Sequence, residues 1–141
     1  MDAMTAASSG EGWAATNIDE LGSGPGFRKI RSAIGVTAFG INAIVLPAGS
    51  ETGRHFHDRQ QEVYFVHRGR LQMEFGDGES VALEPGSVVR VDAATVRKLR
   101  NMGDEDAVYV VAGGEGGYVG RDGRVPEGEA ERRRASAAPG S

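Results

Sequence analysis

His55, His57 and Glu62 lie close enough in the sequence to bind one metal ion together. One residue separates the two histidines, and Glu62 follows His57 after four polar residues. In a β-strand, residues i and i+2 point to the same face, so His55 and His57 can direct their rings at one point. Two imidazoles and one carboxylate are a ligand set that suits non-haem iron and related divalent transition metals. The spacing therefore predicts a metal site formed by these three residues.

The remaining histidine does not fit this site. The polar segment 58–61 is turn-like, so Glu62 can begin the next antiparallel strand and face back towards the histidines. His67 lies five residues after Glu62, and this odd separation predicts that its side chain points to the opposite face of the strand. A His-x-His pair alone also occurs on surfaces and in cores that bind no metal, but the glutamate after the turn favours the metal interpretation.

The segments that would position these residues have the pattern of an all-β domain. Between about residues 27 and 112, short β-prone runs alternate with turn signals, and no stretch keeps the 3.6-residue period of a helix. Such spacing is typical of a β-sandwich or β-barrel. Leu71, Met73 and Phe75 alternate with polar residues, which predicts one buried and one solvent-facing side. The predicted strands cover 36–46, 62–67, 71–75, 81–83, 87–91, 95–100 and 107–112.

The two ends of the chain have a different composition from its centre. Residues 1–16 and 120–141 contain few large apolar side chains, so they cannot bury enough surface to offset their ordering entropy. We expect flexible tails over 1–16 and 120–141, and one barrel domain over 17–119. Trp13 is the exception, because a lone tryptophan can anchor such a segment onto the domain or onto a second subunit.

Composition and charge exclude several classes of function. The chain has 141 residues, no cysteine and a formal net charge of −4. The absence of cysteine excludes disulfides, thiolate zinc sites and cysteine nucleophiles, and the negative charge argues against a nucleic-acid partner. Neither a secretory leader nor a membrane-spanning apolar run is recognisable. We therefore expect a soluble cytoplasmic protein without a membrane partner.

The histidine segment resembles the first signature of the cupin superfamily, G-x5-H-x-H-x3,4-E-x6-G. Gly49, His55, His57, Glu62 and Gly69 occupy its five fixed positions with the permitted gaps. The resemblance implies an all-β fold of the double-stranded β-helix type, the jelly-roll barrel, which closes the exposed edges of its sheets.

Residues 86–101 resemble the second cupin signature, G-x5-P-x-G-x2-H-x3-N, less closely. Gly86 and Asn101 match, whereas Asp92 and Ala94 replace the proline and the glycine. Arg97 stands at the histidine position, where the resemblance implies a third imidazole ligand. A guanidinium cannot bind a metal, because it does not lose its proton in proteins.

Three interpretations of Arg97 follow. The alternation of Thr95, Arg97 and Leu99 predicts that Arg97 points into the barrel, since Leu99 needs burial. Arg97 then either offers its planar fork to an anionic substrate beside a bound metal, or forms a bidentate pair with Glu62 and takes over the carboxylate, so that no metal binds tightly. In the third interpretation it points outward as a solvated cation.

The predicted function combines these features. We expect a small cupin with a divalent metal (Fe, Mn, Ni or Zn) on His55, His57 and Glu62, while Arg97 and Tyr64 bind a small anionic molecule. The resemblance leaves dioxygenase and isomerase chemistry open, and in an isomerase Glu62 or Tyr64 would be the candidate acid or base. The alternative is a metal-free, non-catalytic module that binds or senses a small ligand.

A homodimer is also expected. The run 62–67 is apolar on both faces, because Val63 and Phe65 alternate with Tyr64 and Val66. A strand that is apolar on both sides usually has a partner packed on its outer face. Proteins that the chain resembles are commonly homodimers, which makes a second copy the expected partner.

Overall fold

A computed structural model describes residues 8–127 as an almost entirely β protein with one short α-helix. A 3-10 turn spans Ile18–Glu20 and helix α1 spans Ile30–Ile34. The strands are β1 (Ser8–Gly10), β2 (Trp13–Ala15), β3 (Gly26–Arg28), β4 (Gly40–Leu46), β5 (Phe56–His57), β6 (Gln61–Arg68), β7 (Leu71–Phe75), β8 (Ser80–Leu83), β9 (Val88–Val91), β10 (Arg97–Asn101), β11 (Ala107–Gly114) and β12 (Gly123–Arg124).

Two antiparallel sheets form the barrel. The larger sheet has the order β3-β4-β11-β6-β9, and the smaller has the order β10-β7-β8. Their inner faces share one apolar core, to which the larger sheet contributes Val66 and Tyr109 and the smaller contributes Met73 and Leu99. The predicted jelly-roll β-barrel is confirmed. The pairs β1-β2 and β5-β12 lie outside the two main sheets.

Strand β6 follows the period of two that its sequence predicts. Its inward set, Glu62, Tyr64 and Val66, is buried, and its outward set, Val63, Phe65 and His67, is exposed. His67 therefore points away from His55 and His57, as expected from its position. The same alternation places the carboxylate of Glu62 inside the barrel, beside an otherwise apolar core.

Part of the outer face of the larger sheet is covered by residues that the sequence pattern did not assign to a helix. Ile30 of α1 and Leu21 after the 3-10 turn pack against Val45 of β4 and Val108 of β11. With five residues, α1 is too short to show a recognisable 3.6-residue period. No helix in the described part of the chain is both long and apolar enough to cross a membrane.

Short strands occur in both segments that were predicted to be tails, while the domain boundaries at 17 and 119 stay a prediction. Strands β1 and β2 form a hairpin inside the segment 1–16, and Trp13 remains 58% exposed, so it does not anchor the hairpin by burial. At the other end, β12 pairs with β5 and Asp122 is buried. Strand pairing therefore continues beyond residue 120, where low apolar content predicted a tail. The rest of the predicted tails, 1–7 and 128–141, lies outside the described residues.

Candidate metal centre

Strand β5, the bridge at His55 just before it, and the start of β6 bring the predicted ligands together. His57 lies in β5, and its backbone N–H donates to the Ala93 carbonyl at 2.7 Å. His55 forms an isolated antiparallel bridge with Arg97, with N–H to O distances of 3.0 and 2.9 Å in the two directions. Glu62 lies near the start of β6 after the turn at 58–60. The sequence therefore places two histidines on one segment and the carboxylate on the next, as their spacing predicts.

The donor atoms of these residues are close enough to share a metal ion. One ligand atom from each of His55, His57 and Glu62 lies within 4.8 Å of the other two. The centroids of the two imidazole rings are 5.4 Å apart, and the ring planes are nearly perpendicular, with an angle of 84° between them. Two ligands about 2.1 Å from one zinc ion are at most roughly 4.2 Å apart. The donor set therefore fits a divalent transition metal after a small closure of the site.

Arg97 is buried inside the barrel, with no exposed surface. Its Nη2 lies 2.7 Å from Glu62 Oε1, and its Nε donates to the Tyr64 hydroxyl at 3.3 Å. The interpretation in which Arg97 points outward as a solvated cation is wrong, because Leu99 and Arg97 share the inward face of β10. The contact between Arg97 and Glu62 that the second interpretation predicts is present, but it is made by Nη2 alone and is not bidentate.

The rest of the Arg97 guanidinium binds the backbone instead of facing a cavity. Its Nη1 donates to the carbonyls of Asp92, Ala93 and Thr95 at 3.3, 3.2 and 2.6 Å. These carbonyls belong to the turn at 92–95, in which Asp92 and Ala94 replace the proline and the glycine of the second signature. The arginine side chain therefore holds this turn and the Glu62 carboxylate at the same time. Its predicted role as a fork for a substrate anion stays a prediction, because here only Nη2 contacts Glu62 and Nη1 contacts the backbone.

Hydrogen bonds keep Glu62 ionised despite its burial. Burial alone would raise the pKa of Glu62, but hydrogen bonds from His57, Tyr64 and Arg97 outweigh it and lower the pKa to about 2. The Tyr64 hydroxyl donates to Oε1 at 2.7 Å. Burial and the charge of Glu62 raise the pKa of Tyr64 well above its ordinary value. Tyr64 is therefore a proton-bearing donor to Glu62.

His55 has the protonation state that a metal ligand requires. Burial, followed by the positive charge of Arg97, lowers the pKa of His55 below its ordinary value. The imidazole is therefore neutral near pH 7 and keeps a lone pair for a metal. Its Nδ1 lies 3.4 Å from the carbonyl of Gly53, which leaves Nε2 available on the other side of the ring.

A cavity of about 600 Å³ opens beside the ligands. Apolar side chains of Phe27, Ile44 and Val111 form part of its wall, and His55, His57 and Glu62 form a polar region. Neither Lys nor Arg belongs to the wall within residues 8–127. The wall also contains Asn42, Thr52, Gly53, Tyr64 and Tyr109.

Tyr109 offers the cavity a hydrogen-bond donor. The residue is 5% exposed and lines the cavity. Burial and the nearby charge of Glu62 raise the pKa of its hydroxyl. Among the described residues this hydroxyl has no hydrogen-bond partner, whereas the Tyr64 hydroxyl has two. A ligand with an oxygen acceptor can satisfy the Tyr109 donor.

Three residues that sequence reasoning missed shape the surroundings of the ligands. Gln60 Nε2 lies 2.9 Å from Glu62 Oε2 and 3.2 Å from His57 Nδ1. Asp122 Oδ2 lies 3.8 Å from the same Nδ1. Gly113 pairs with Glu62, and a Cβ at Gly113 would lie 3.0 Å from Glu62 Cγ. Gln60 and Gly113 adjoin predicted elements, but only the fold brings them to the site.

Two other signature residues are structural. Gly69 has a φ of +88°, and an added Cβ would lie 2.8 Å from both Cα and Cβ of Ala107. Asn101 is buried, and its side-chain amide donates to the carbonyls of Leu46 and Glu105 at 2.8 Å. Both residues fix connections at the end of the barrel, away from the metal ligands.

Comparison with known proteins agrees with this fold. The family model described as a cupin domain matches residues 43–113, half of the chain. An uncharacterised conserved protein with a double-stranded β-helix domain from Klebsiella pneumoniae has a TM-score of 0.67 at 18% identity. That comparison covers 80% of this chain and 96% of the other. At this identity, the likeness shows the fold alone.

A second solved structure is more similar in sequence. A sugar phosphate isomerase of the cupin superfamily from Silicibacter pomeroyi is 26% identical, with a TM-score of 0.56. The alignment covers 62% of this chain and 57% of that protein, so this chain spans little more than half of its length. No curated protein matches the chain in sequence.

Proposed function

The chain belongs to the cupin family, and we propose that it is a metal-dependent member in which His55, His57 and Glu62 hold one divalent transition-metal ion. The observation that carries this proposal is the convergence of the three donor groups within 4.8 Å. Nitrogen and carboxylate ligands of this kind suit Fe, Mn, Ni or Zn, whose preferences overlap. When bound, such an ion supplies Lewis-acid polarisation or, for a redox-active metal, chemistry with dioxygen.

The residues around the ligands prepare Glu62 for this role. Arg97 and Tyr64 both donate to Oε1, at 2.7 Å each. These bonds hold the carboxylate ionised and fix its orientation, as hydrogen-bonded partners of metal ligands commonly do. We therefore assign Arg97 and Tyr64 to the positioning of Glu62, instead of the direct substrate contact expected from the sequence.

The proposed ligand is a small anionic molecule with an uncharged body. Because neither Lys nor Arg belongs to the described wall of the cavity, the charge that compensates an anionic group would be that of the proposed metal ion. The body of the molecule then contacts Ile44 and Val111, and an oxygen atom on it can accept from the Tyr109 hydroxyl. A small carboxylate suits this wall better than a phosphate, which usually needs Arg or Lys partners.

The reaction that we propose is that of a dioxygenase or an isomerase. The isomerase class is supported by the 26% identity to the Silicibacter pomeroyi sugar phosphate isomerase. The dioxygenase class is supported by the two-histidine, one-carboxylate donor set with open positions. Oxygen uptake by iron-loaded protein with a small carboxylate substrate distinguishes the two, because an isomerase reaction consumes no oxygen.

A metal-free binding or sensing module is the alternative. The specific observation in its favour is the 2.7 Å ion pair between Arg97 and Glu62, which already compensates the charge of the carboxylate. If this pair excludes a metal, the cavity binds its ligand through hydrogen bonds and apolar contacts alone.

Metal analysis of protein purified without a histidine tag tests the proposal. We expect close to one transition-metal ion per chain in the parent and a large loss in His55→Ala. His67→Ala is the matched control, because His67 is exposed on the other face of β6, and it should retain the metal. Less than about a tenth of an equivalent in the parent, unaffected by His55→Ala, would favour the metal-free alternative, since a bound metal must depend on its ligands.

The predicted homodimer remains a proposal with a defined surface. Val63, Phe65 and Val88 are 40%, 41% and 62% exposed on neighbouring strands β6 and β9, beyond the area that α1 covers. We propose that a second copy packs on this apolar area, and sizing of parent and Phe65→Lys protein at micromolar concentration tests it. A cytoplasmic location likewise stays a prediction.

A further inference from the structure

Asp122 lies directly behind the metal-ligating segment, although it follows the part of the chain that matches the cupin family. Its side chain is buried, and Oδ2 accepts the backbone N–H groups of Arg59 and Gln60 at 2.8 Å each. The next residue, Gly123, pairs with His57 through the β12-β5 contact. The backbone N–H of Asp58 also donates to the Asp122 carbonyl at 3.2 Å. This segment therefore closes the turn that separates His57 from Glu62.

The present contacts of His57 suit one tautomer of a neutral imidazole. Nε2 lies 3.3 Å from Glu62 Oε1, and Nδ1 lies 3.2 Å from the amide nitrogen of Gln60. A proton on Nε2 can be donated to Glu62, while the lone pair of Nδ1 accepts from Gln60. The His57, Gln60 and Glu62 side chains thus form a closed hydrogen-bonded network.

Binding a metal through Nε2 requires the other tautomer. The lone pair must then be on Nε2, so the proton of a neutral ring moves to Nδ1 and needs an acceptor there. The Gln60 amide presents an N–H group to Nδ1. If Nδ1 also carried a proton, two donors would face each other, so Gln60 cannot be the acceptor in this orientation. Two carboxylates lie within 4 Å of the ring nitrogens of His57 in the described chain, namely Glu62 on the Nε2 side and Asp122 on the Nδ1 side.

We propose that Asp122 is a positioning residue that accepts the Nδ1–H of His57 and thereby selects the metal-binding tautomer. This inference rests on the proposed metal-binding function. A carboxylate behind a metal-ligating histidine commonly fixes both its tautomer and the orientation of its ring. The present separation of 3.8 Å exceeds hydrogen-bond length, so the two groups must approach by about 0.7 Å. Asp122 is already held in place by two amides, so the mobile partner is the ring of His57.

Asp122→Asn isolates this role from the general structure of the turn. The asparagine carbonyl oxygen can still accept the amides of Arg59 and Gln60. Oδ2 is also the oxygen that lies 3.8 Å from Nδ1, so the uncharged carbonyl oxygen that takes its place would accept the Nδ1–H of His57 more weakly than a carboxylate does. We expect the affinity for Zn²⁺ to fall by about 10- to 100-fold, measured by competition with a chelator of known affinity.

Arg124→Ala is the matched control in the same segment. Arg124 forms a 2.6 Å ion pair with Asp58, but both side chains are almost half exposed. Exposed pairs contribute little to stability, and Arg124 touches no ring nitrogen of His57. We expect the zinc affinity of Arg124→Ala to stay within about twofold of that of the parent, because an exposed ion pair of this kind contributes little.

Hydrogen exchange at the amides of Arg59 and Gln60 separates positioning from a purely structural role. Asp122→Asn should keep most of the protection of these amides while its zinc affinity falls. Equal zinc affinity in Asp122→Asn and the parent would overturn the inference and leave the proposed function standing. Parallel loss of affinity and amide protection would also overturn it, because Asp122 would then only hold the turn. Failure of the parent to bind zinc would instead remove the proposed function, and this inference with it.

Discussion

Arg97 and Glu62 form an ion pair in the barrel interior, with 2.7 Å between Nη2 and Oε1 and no exposed surface on the arginine side chain. Arg97 occupies the position at which the second cupin signature has a histidine. Arg97 Nη2 and His57 Nε2 lie 2.7 and 3.3 Å from the same carboxylate oxygen, Oε1. This arrangement supplies a carboxylate that is both ionised and fixed in orientation.

Removal of the Arg97 guanidinium should strongly destabilise the protein. Arg97→Met leaves the charge of Glu62 buried without its partner, and it frees the carbonyls of Asp92, Ala93 and Thr95. Breaking a buried pair from one side costs about 3–5 kcal/mol, which urea denaturation of the metal-free protein can measure.

An exposed arginine provides the control for this measurement. Arg90 lies 3.3 Å from Asp92, but its side chain is 69% exposed. Arg90→Met should change the free energy of unfolding by less than about 1 kcal/mol. Equal decreases in the free energy of unfolding of Arg97→Met and Arg90→Met would mean that the buried pair contributes no more to stability than the exposed one.

The lowered pKa of Glu62 predicts a specific pH dependence of stability. The pKa falls from 4.5 to about 2 in the folded protein, so the folded state binds this proton less readily than the unfolded state. The resulting stability is complete above pH 4.5 and is lost as the pH falls towards 2. Between about pH 6 and pH 3 the free energy of unfolding of the metal-free parent should fall by about 2 kcal/mol more than that of Glu62→Gln. Identical pH profiles from urea denaturation would contradict this assignment.

Gly113 should be required for metal affinity although it contributes no ligand. An added Cβ would lie 3.0 Å from both Glu62 Cγ and the Gln61 carbonyl oxygen, so Gly113→Ala must displace the Glu62 side chain. We expect zinc affinity to fall at least about tenfold, as for other residues that orient a ligand. Gly103→Ala is the control, because its Cβ would meet only Asn101 Oδ1, at 3.5 Å. Parent-like affinity in both variants would show that Glu62 tolerates the displacement.

The two cavity tyrosines should differ in their effect on stability. Tyr64→Phe removes a 2.7 Å hydrogen bond to the charged Glu62 and an acceptor for Arg97 Nε, so it should cost about 1.5–3 kcal/mol. Tyr109→Phe removes a hydroxyl without a partner in the described chain and should stay within about 0.5 kcal/mol of the parent. Urea denaturation of the metal-free variants measures both changes. A larger loss in Tyr109→Phe than in Tyr64→Phe would reverse the assignment.

The elements that carry the site were predictable because their signals are local. The alternation in β6 fixes which face receives Glu62 and which receives His67, and the turn at 58–60 brings the carboxylate back to the histidines. The inward direction of Arg97 followed in the same way from the burial of Leu99. These signals depend on neighbouring residues within one strand or one turn.

The contacts that define the chemistry were less predictable because they join distant residues. Glu62 and Arg97 are 35 residues apart, and the alternation of β10 could not decide whether the guanidinium would meet a carboxylate or a ligand. Asp122 joins the site through polar contacts and a two-residue strand, in a segment of low apolar content. Neither a hydrophobic period nor a family signature identifies Asp122 as part of the site from the sequence.

The most direct test of the central claim is anomalous X-ray diffraction from crystals of untagged protein supplied with one equivalent of zinc. The proposed function predicts a strong anomalous peak between the ring nitrogens of His55 and His57 and the carboxylate of Glu62. The absence of a peak at this position, with Glu62 still bound by Arg97 and His57 still bound by Gln60, would contradict the metal-binding function.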